Sequence, residues 1–303
     1  MAPRTLHVTV PDIGWIDRLS DLQDVDLTVW DFSDPQPERH IDLAVRPYTV
    51  AAAGLETLDP SRLSVIQSQA LGYDGVAETL PAGITYCNAV GVHEASTAEL
   101  AVALLLASQR EVDRYAREAG QWNRRFTASL IDRRILLVGT GGIGAELEKR
   151  LDGFDAEIVR VATHRREDDR GVVHGNDELA SLLPTVDAVV LAVPLTDRTE
   201  GMVDDAFLSA LPDGAIVVNV SRGKVADTDA IVRQGGRIRF AADVTDPEPL
   251  PADHPLWSVP GVLISPHVGG MSSAMQPRID AIVRAQVKRL LEGREPELVV
   301  VSG

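Results

Sequence analysis

RILLVGTGGIGAELEKRLDGFDAEIVRVATHRRE occupies residues 134–167, and its reading decides the fold. Residues 135–138 form an apolar run short enough for a strand, which enters a turn with glycines at 139, 141 and 144. Ile143, Leu147 and Leu151 then recur at helical spacing, with Gly153 placed as a C-cap. A second apolar run covers residues 157–162. Strand, glycine turn, helix and strand in this order make a βαβ unit.

Each glycine has its own task in such a unit. Gly139 permits the tight turn, Gly141 lets backbone N–H groups approach a pyrophosphate, and Gly144 lets the helix pack closely on the strand. The helix N-terminus adds partial positive charge. The pattern therefore points to a dinucleotide. A fold of this kind that prefers NAD ends its second strand in Asp or Glu, which binds the ribose hydroxyls. Here the strand runs into Thr163-His164-Arg165-Arg166. No carboxylate at Thr163 repels a 2′-phosphate, and the three basic residues can pair with one, which favours NADP(H) over NAD(H).

The remainder of the chain alternates in the same way. Strands are expected at residues 6–10, 26–30, 41–45, 63–67 and 84–87, with helices such as 16–22 and 51–58 between them. A long amphipathic helix is expected from 94 to about 119, with Leu100, Leu104 and Ala107 on one face. After the glycine turn, further strands are expected at 188–193, 215–220, 238–242 and 261–264. Residues 273–292 read as one helix stopped by Gly293, followed by the apolar run 297–301. A last strand after a crossover helix returns most naturally to the first domain. The fold class is thus α/β with two doubly wound parallel sheets. The second domain, residues 97–271, is inserted into a discontinuous first one, residues 1–96 and 272–303.

Bulk properties narrow the function. Of 303 residues, 45% are apolar and 24% charged, as in soluble globular proteins, and no run is long enough to span a membrane. The first residues lack the apolar stretch of a signal peptide. The single cysteine, Cys87, has no internal disulfide partner, so a cytoplasmic location is expected. A net charge of −16 argues against nucleic acid as a partner. It leaves room for a small anionic substrate held by a local arginine. The histidines show no metal-ligand spacing.

Four segments end predicted strands of the inserted domain, where open α/β sheets bind ligands. They are AVPLTDRT (192–199), VVNVSRGKVADTDAI (217–231), AADVTDPEP (241–249) and LISPHVGG (263–270). Singly, Arg222, Glu248 and His267 have ordinary explanations as surface or packing residues. Together they supply a cation for a carboxylate, an imidazole, and an acid to hold that imidazole.

With these segments in place the chain resembles the D-isomer-specific 2-hydroxyacid dehydrogenases. The resemblance rests on Asn219-x-x-Arg222-Gly223 with Asp227, on Asp243-Val244 leading to Glu248-Pro249, and on Ser265-Pro266-His267-Val268-Gly269-Gly270. Leu71-Gly72-Tyr73-Asp74, Ala98-Glu99-Leu100 and Gly120-Gln121-Trp122 are similar too, so it covers nearly the whole chain. It implies a Rossmann cofactor domain inserted into a flavodoxin-like substrate domain, in the short form without a C-terminal regulatory domain.

It also implies hydride transfer between NAD(P)H and the C2 carbonyl of a small 2-oxo acid such as glyoxylate, hydroxypyruvate or pyruvate. In this reading Arg222 binds the substrate carboxylate, His267 donates the proton, and Glu248 fixes the tautomer and stabilises the imidazolium. Leu71 and Gly72 offer backbone N–H groups to the carboxylate from the first domain, and the interdomain cleft closes over the substrate. Gly142 and Ile143 lie at the pyrophosphate, and Val193 and Pro194 on the adenosine side. Val220, Ser221 and Asp243 lie near the nicotinamide, with Gly269, Gly270 and Thr97 beside them. A homodimer with residues 94–122 as its arm is implied, and no metal is.

The chain departs from the family's pattern at Thr163, at Thr245, where many members carry an aromatic, and at Lys224, where a small residue is common. Formate dehydrogenases, related in pattern, carry Gln at the Glu248 position. A second reading from another class is a dinucleotide-sensing assembly module of the corepressor type, which shares the fold and the catalytic residues.

Overall fold

The computed structural model describes residues 5–48, 52 and 54–302. Its N-terminal strands are β1 (Leu6–Val10), β2 (Val25–Val29), β3 (Ile41–Arg46), β4 (Leu63–Ser68) and β5 (Thr85–Cys87). The glycine-turn region supplies β6 (Arg134–Val138), β7 (Glu157–Ala162), β8 (Arg166–Asp168) and β9 (Gly171–Gly175). The later strands are β10 (Ala188–Leu191), β11 (Ile216–Asn219), β12 (Arg239–Ala242), β13 (Val262–Ile264) and β14 (Val299–Ser302).

The chain divides into two compact units, residues 1–93 with 273–303, and residues 94–272. In the first, the strand order is β14-β5-β4-β3-β1-β2, all parallel except β14, which runs antiparallel to β5. The first five strands thus follow the flavodoxin-like order 2-1-3-4-5. The chain returns through the helix Met275–Leu291, whose Gln286 is buried. Its Nε2 donates to Gln67 Oε1 on β4 at 2.9 Å and to the Glu297 carbonyl at 2.7 Å. A buried amide must find such partners, and here they tie the C-terminal segment to the N-terminal sheet. Cys87, at the end of β5, is fully buried, and burial pushes its thiol up to about 12. A thiol so protonated near neutrality is a packing group rather than a nucleophile.

In the second unit the order is β13-β12-β11-β10-β6-β7-β9-β8. Its parallel strands follow the Rossmann order 3-2-1-4-5-6 with one strand more, and β8 is an antiparallel edge. Alternation along each strand feeds two apolar layers. Leu136, Val138, Val189, Leu191 and Val217 face one, while Ile135, Leu137, Val190, Ile216 and Val218 face the other. Both faces are therefore covered, as a parallel sheet requires.

Several elements differ from the sequence expectation. The helix expected over residues 94–119 is two, Glu94–Gln109 and Val112–Arg117, separated by Glu111 in the left-handed region at φ 52°. Its buried positions include Ala98, Ala101, Leu104 and Leu105; Leu100 and Ala107 are only half-buried. The helix after the glycine turn, Gly142–Leu151, continues as a 3-10 turn and stops at Asp155 (φ 50°), not at Gly153. The first helix is Ile13–Leu19, begun by Asp12, whose carboxylate accepts the Trp15 N–H. Of the helix expected at 51–58 only the 3-10 turn Leu55–Thr57 is present, and residues 51 and 53 lie outside those described. No described helix is long and apolar enough to cross a membrane.

Candidate active site

The glycine turn leads from β6 into the helix Gly142–Leu151. Gly139 has φ 102°, and a Cβ there would stand 2.2 Å from the Ala192 carbonyl oxygen. A Cβ on Gly144 would stand 2.0 Å from the Gly139 oxygen. Both positions are held to glycine by backbone. Gly141 is different: a Cβ there would meet nothing within 4 Å. Gly141 is the residue directly before the helix, so the open space adjoins a helix start, the kind of place where a pyrophosphate binds. Gly142 is exposed and Ile143 half-buried at the same helix start. The turn fits a dinucleotide on the protein's own geometry.

The basic end of β7 is less uniform than it reads. Thr163 and His164 are exposed in the bend after β7. Arg165 Nη1 donates to both oxygens of Glu178 at 2.8 and 2.7 Å, and His174 Nδ1 lies 2.8 Å from the same carboxylate. Hydrogen bonds from His174, the Gly175 N–H and Arg165 pull Glu178 from the usual 4.5 to about 2. A depressed carboxylate contributes its stabilisation above its ordinary pKa and loses it only as pH falls toward the folded value. Arg165 is therefore engaged at every pH near neutrality. Arg166, the first residue of β8, instead donates to Thr140 Oγ1 inside the glycine turn at 2.7 Å.

Arg222, Glu248 and His267 follow the carboxyl ends of β11, β12 and β13, three neighbouring strands. Asn219 shapes the loop carrying Arg222: its Oδ1 accepts from the Ser221 N–H and hydroxyl at 3.0 and 2.6 Å, and its Nδ2 donates to the Arg222 carbonyl at 3.0 Å. Val220 and Ser221 are buried behind it. Arg222 Nη1 reaches the Ser221 carbonyl at 2.8 Å. A Cβ on Gly223 would stand 1.9 Å from the Thr245 oxygen, so this loop lies directly on the one leading to Glu248. His267 Nδ1 is 2.5 Å from Glu248 Oε1, with both side chains about half-exposed. That bond fixes the tautomer and leaves Nε2 as the ring atom able to pass a proton outward.

Asp243, at the end of β12, is buried and takes its hydrogen bonds from the His267 loop. Gly269 and Gly270 are buried in that loop, and a Cβ on Gly269 would stand 3.2 Å from Thr97 and 2.9 Å from Asp243. Val193 is half-buried after β10, and exposed Pro194 has its carbonyl bonded by Thr199 Oγ1 at 2.7 Å. Leu71 and Gly72 belong to the other unit, where the Leu71 carbonyl accepts from buried Asn88 at 3.0 Å. Sequence reasoning missed Thr140, Ser265, Asn219 and the Glu178–His174 pair. Asn219 and Ser265 stood inside quoted patterns beside Arg222 and His267, and Thr140 inside the glycine turn, whereas the Glu178–His174 pair had no such signal.

A Rossmann sheet whose C-terminal edge carries an arginine and a carboxylate-held histidine is that of an oxidoreductase. The family model for the D-isomer specific 2-hydroxyacid dehydrogenase NAD binding domain matches residues 102–269. A glyoxylate reductase of Korarchaeum cryptofilum is 34% identical over 256 residues, 79% of this chain and 76% of that one. Among solved structures, the TT0316 protein of Thermus thermophilus is 29% identical, with a TM-score of 0.79 over 98% of this chain and all of that one. An NADPH-dependent glyoxylate/hydroxypyruvate reductase of Sinorhizobium meliloti, solved with NADP and malonate, is 25% identical. Its TM-score is 0.79 over 98% of this chain and 97% of that one. The chain belongs to the D-isomer specific 2-hydroxyacid dehydrogenase family. It is an oxidoreductase that moves a hydride between a nicotinamide dinucleotide and a small 2-oxo acid.

Proposed function

We propose that the chain reduces a small 2-oxo acid of the glyoxylate, hydroxypyruvate or pyruvate type, with NADP(H) preferred to NAD(H). The observation that carries the reading is the His267–Glu248 hydrogen bond at the carboxyl edge of a Rossmann sheet, beside the Arg222 loop. When bound, the coenzyme supplies the hydride. Arg222 holds the substrate carboxylate through its planar pair of donors. His267, held as imidazolium by Glu248, passes its Nε2 proton to the oxygen that gains charge and is left as neutral imidazole. Leu71 and Gly72 are proposed to add backbone N–H groups to the carboxylate. The names of the relatives as reductases favour catalysis over a dinucleotide-sensing assembly role. The test is NAD(P)H oxidation with a panel of C2 to C4 2-oxo acids. Turnover of at least one is expected, and a folded protein inactive with both coenzymes would end the reading.

The coenzyme preference is proposed to rest on Arg166. Arg166→Ala should weaken NADPH by about 10- to 100-fold, the range for losing one charge-assisted hydrogen bond. NADH should change little. Arg165→Ala should leave the coenzyme ratio near the parent's, because Glu178 holds that side chain. KM values for both coenzymes measured on both variants decide between the two arginines.

A homodimer is also proposed, with residues 94–122 as its arm. In support, Trp122 is 88% and Phe126 107% exposed, large apolar surfaces of the kind that a partner covers. Sedimentation should give twice the chain mass, and Trp122→Asp should shift it toward the monomer.

A further inference from the structure

His267 adopts a backbone that its side chain does not favour. Its φ is 54°, in the left-handed region that few residues other than glycine enter, and such a conformation persists only where its surroundings impose it. The surroundings here trace to one buried carboxylate. Asp243 Oδ1 accepts from the Val268 N–H at 2.9 Å and from Ser265 Oγ at 2.6 Å, and Oδ2 accepts from the Gly269 N–H at 2.8 Å. The Asp243 carbonyl accepts the His267 N–H itself at 2.8 Å. Residues 265, 267, 268 and 269 are thus gathered around a single residue at the end of β12, with His267 at the crest of the bend. The absence of a side chain at Gly269 allows the approach, since a Cβ there would stand 2.9 Å from Asp243 Oδ2.

We infer that Asp243 and Ser265 are positioning residues for His267, setting where its imidazole stands by anchoring the loop on both sides of it. The inference rests on the proposed role of His267 as proton donor. Neither anchoring group is interchangeable with a near relative lacking the right atoms. An Asn at 243 keeps one acceptor oxygen and turns an NH2 toward an N–H or hydroxyl that had been bonded. An Ala at 265 removes the hydroxyl that fixes Oδ1, whereas Thr keeps it. Displacement of a reacting group by about 1 Å costs on the order of 100-fold in rate, so a modest relaxation of this loop is visible in turnover.

The experiment compares Ser265→Ala, Ser265→Thr and Asp243→Asn with the parent in two ways. Without substrate, hydrogen exchange at the Val268 and Gly269 amides is measured together with the His267 ring-proton resonance, identified by its loss in His267→Gln. Faster exchange and a moved resonance are expected in Asp243→Asn, with smaller changes in Ser265→Ala and restoration in Ser265→Thr. With substrate, Ser265→Ala should lower kcat about tenfold while KM and coenzyme affinity hold. The same substitution made in His267→Ala should change nothing further, because it acts only through the imidazole. Unaltered exchange and resonance in both Asp243→Asn and Ser265→Ala would overturn the inference. So would a tenfold loss from Ser265→Ala that persists without His267. A parent inactive toward all 2-oxo acids would instead remove the proposed function, and the exchange data would still decide whether the loop is held from Asp243.

Discussion

Turnover in His267→Ala falls by about two to four orders of magnitude, the usual span for a general acid. The argument starts from the ring's hydrogen bond: Nδ1 is committed to Glu248 at 2.5 Å, so the ring has one nitrogen left to offer. Water cannot replace a donor that is already oriented. Coenzyme affinity should be retained, because the glycine turn and its helix follow β6, which three strands separate from β13, the strand that leads to His267. Stopped-flow mixing of enzyme, reduced coenzyme and substrate gives the rate of the chemical step, and fluorescence titration gives the coenzyme Kd. A variant as fast as the parent would mean that the proton comes from elsewhere.

Gly223→Ala is the second large effect, and it is steric. The new methyl would lie 1.9 Å from the Thr245 oxygen and 2.2 Å from its carbonyl carbon, with the Asp246 nitrogen at 2.8 Å. These are backbone atoms and cannot rotate aside. The two loops must part, and they carry Arg222 on one side and Glu248 on the other. Overpacking of this kind costs about 1–3 kcal/mol. The accompanying misplacement should lower kcat/KM by about 100-fold. Thermal unfolding should show a drop of several degrees. Gly153→Ala serves as the contrast: nothing lies within 4 Å of a Cβ there, so melting temperature and activity should match the parent. Equal melting temperatures for the two variants would refute the account.

What could be read from the sequence follows from where its signals lie. Parallel strands buried on both faces are largely apolar runs, so β6, β10 and, despite its buried Arg160, β7 are plain in the letters. The edge hairpin β8–β9 is not. Its residues are mostly polar and it is pinned by buried Arg160, which pairs with Asp168 at 2.9 Å across eight residues. The break in the helix after Gln109 has no glycine or proline to announce it; Glu111 takes the left-handed turn instead. At the site, Glu248 and His267 were picked out from the segments that hold them, and the structure brings their side chains into contact. The engagement of Arg165 was hidden because its partner, Glu178, lies thirteen residues on and across the hairpin. The loop anchored on Asp243 was hidden for a different reason. Its donors are mostly main-chain N–H groups, and every sequence has those.

The return of the chain to β5 through Gln286 and β14 also governs the order of assembly during synthesis. Residues 94–272 emerge from the ribosome complete and can become native while the nascent N-terminal sheet still waits for its outermost strand. Until then one flank of β5 is an unsatisfied ladder, open to wrong pairing with a neighbouring nascent chain. Synthesis arrested after residue 272 but before β14 therefore leaves a molecule with a finished nucleotide unit and a sticky one.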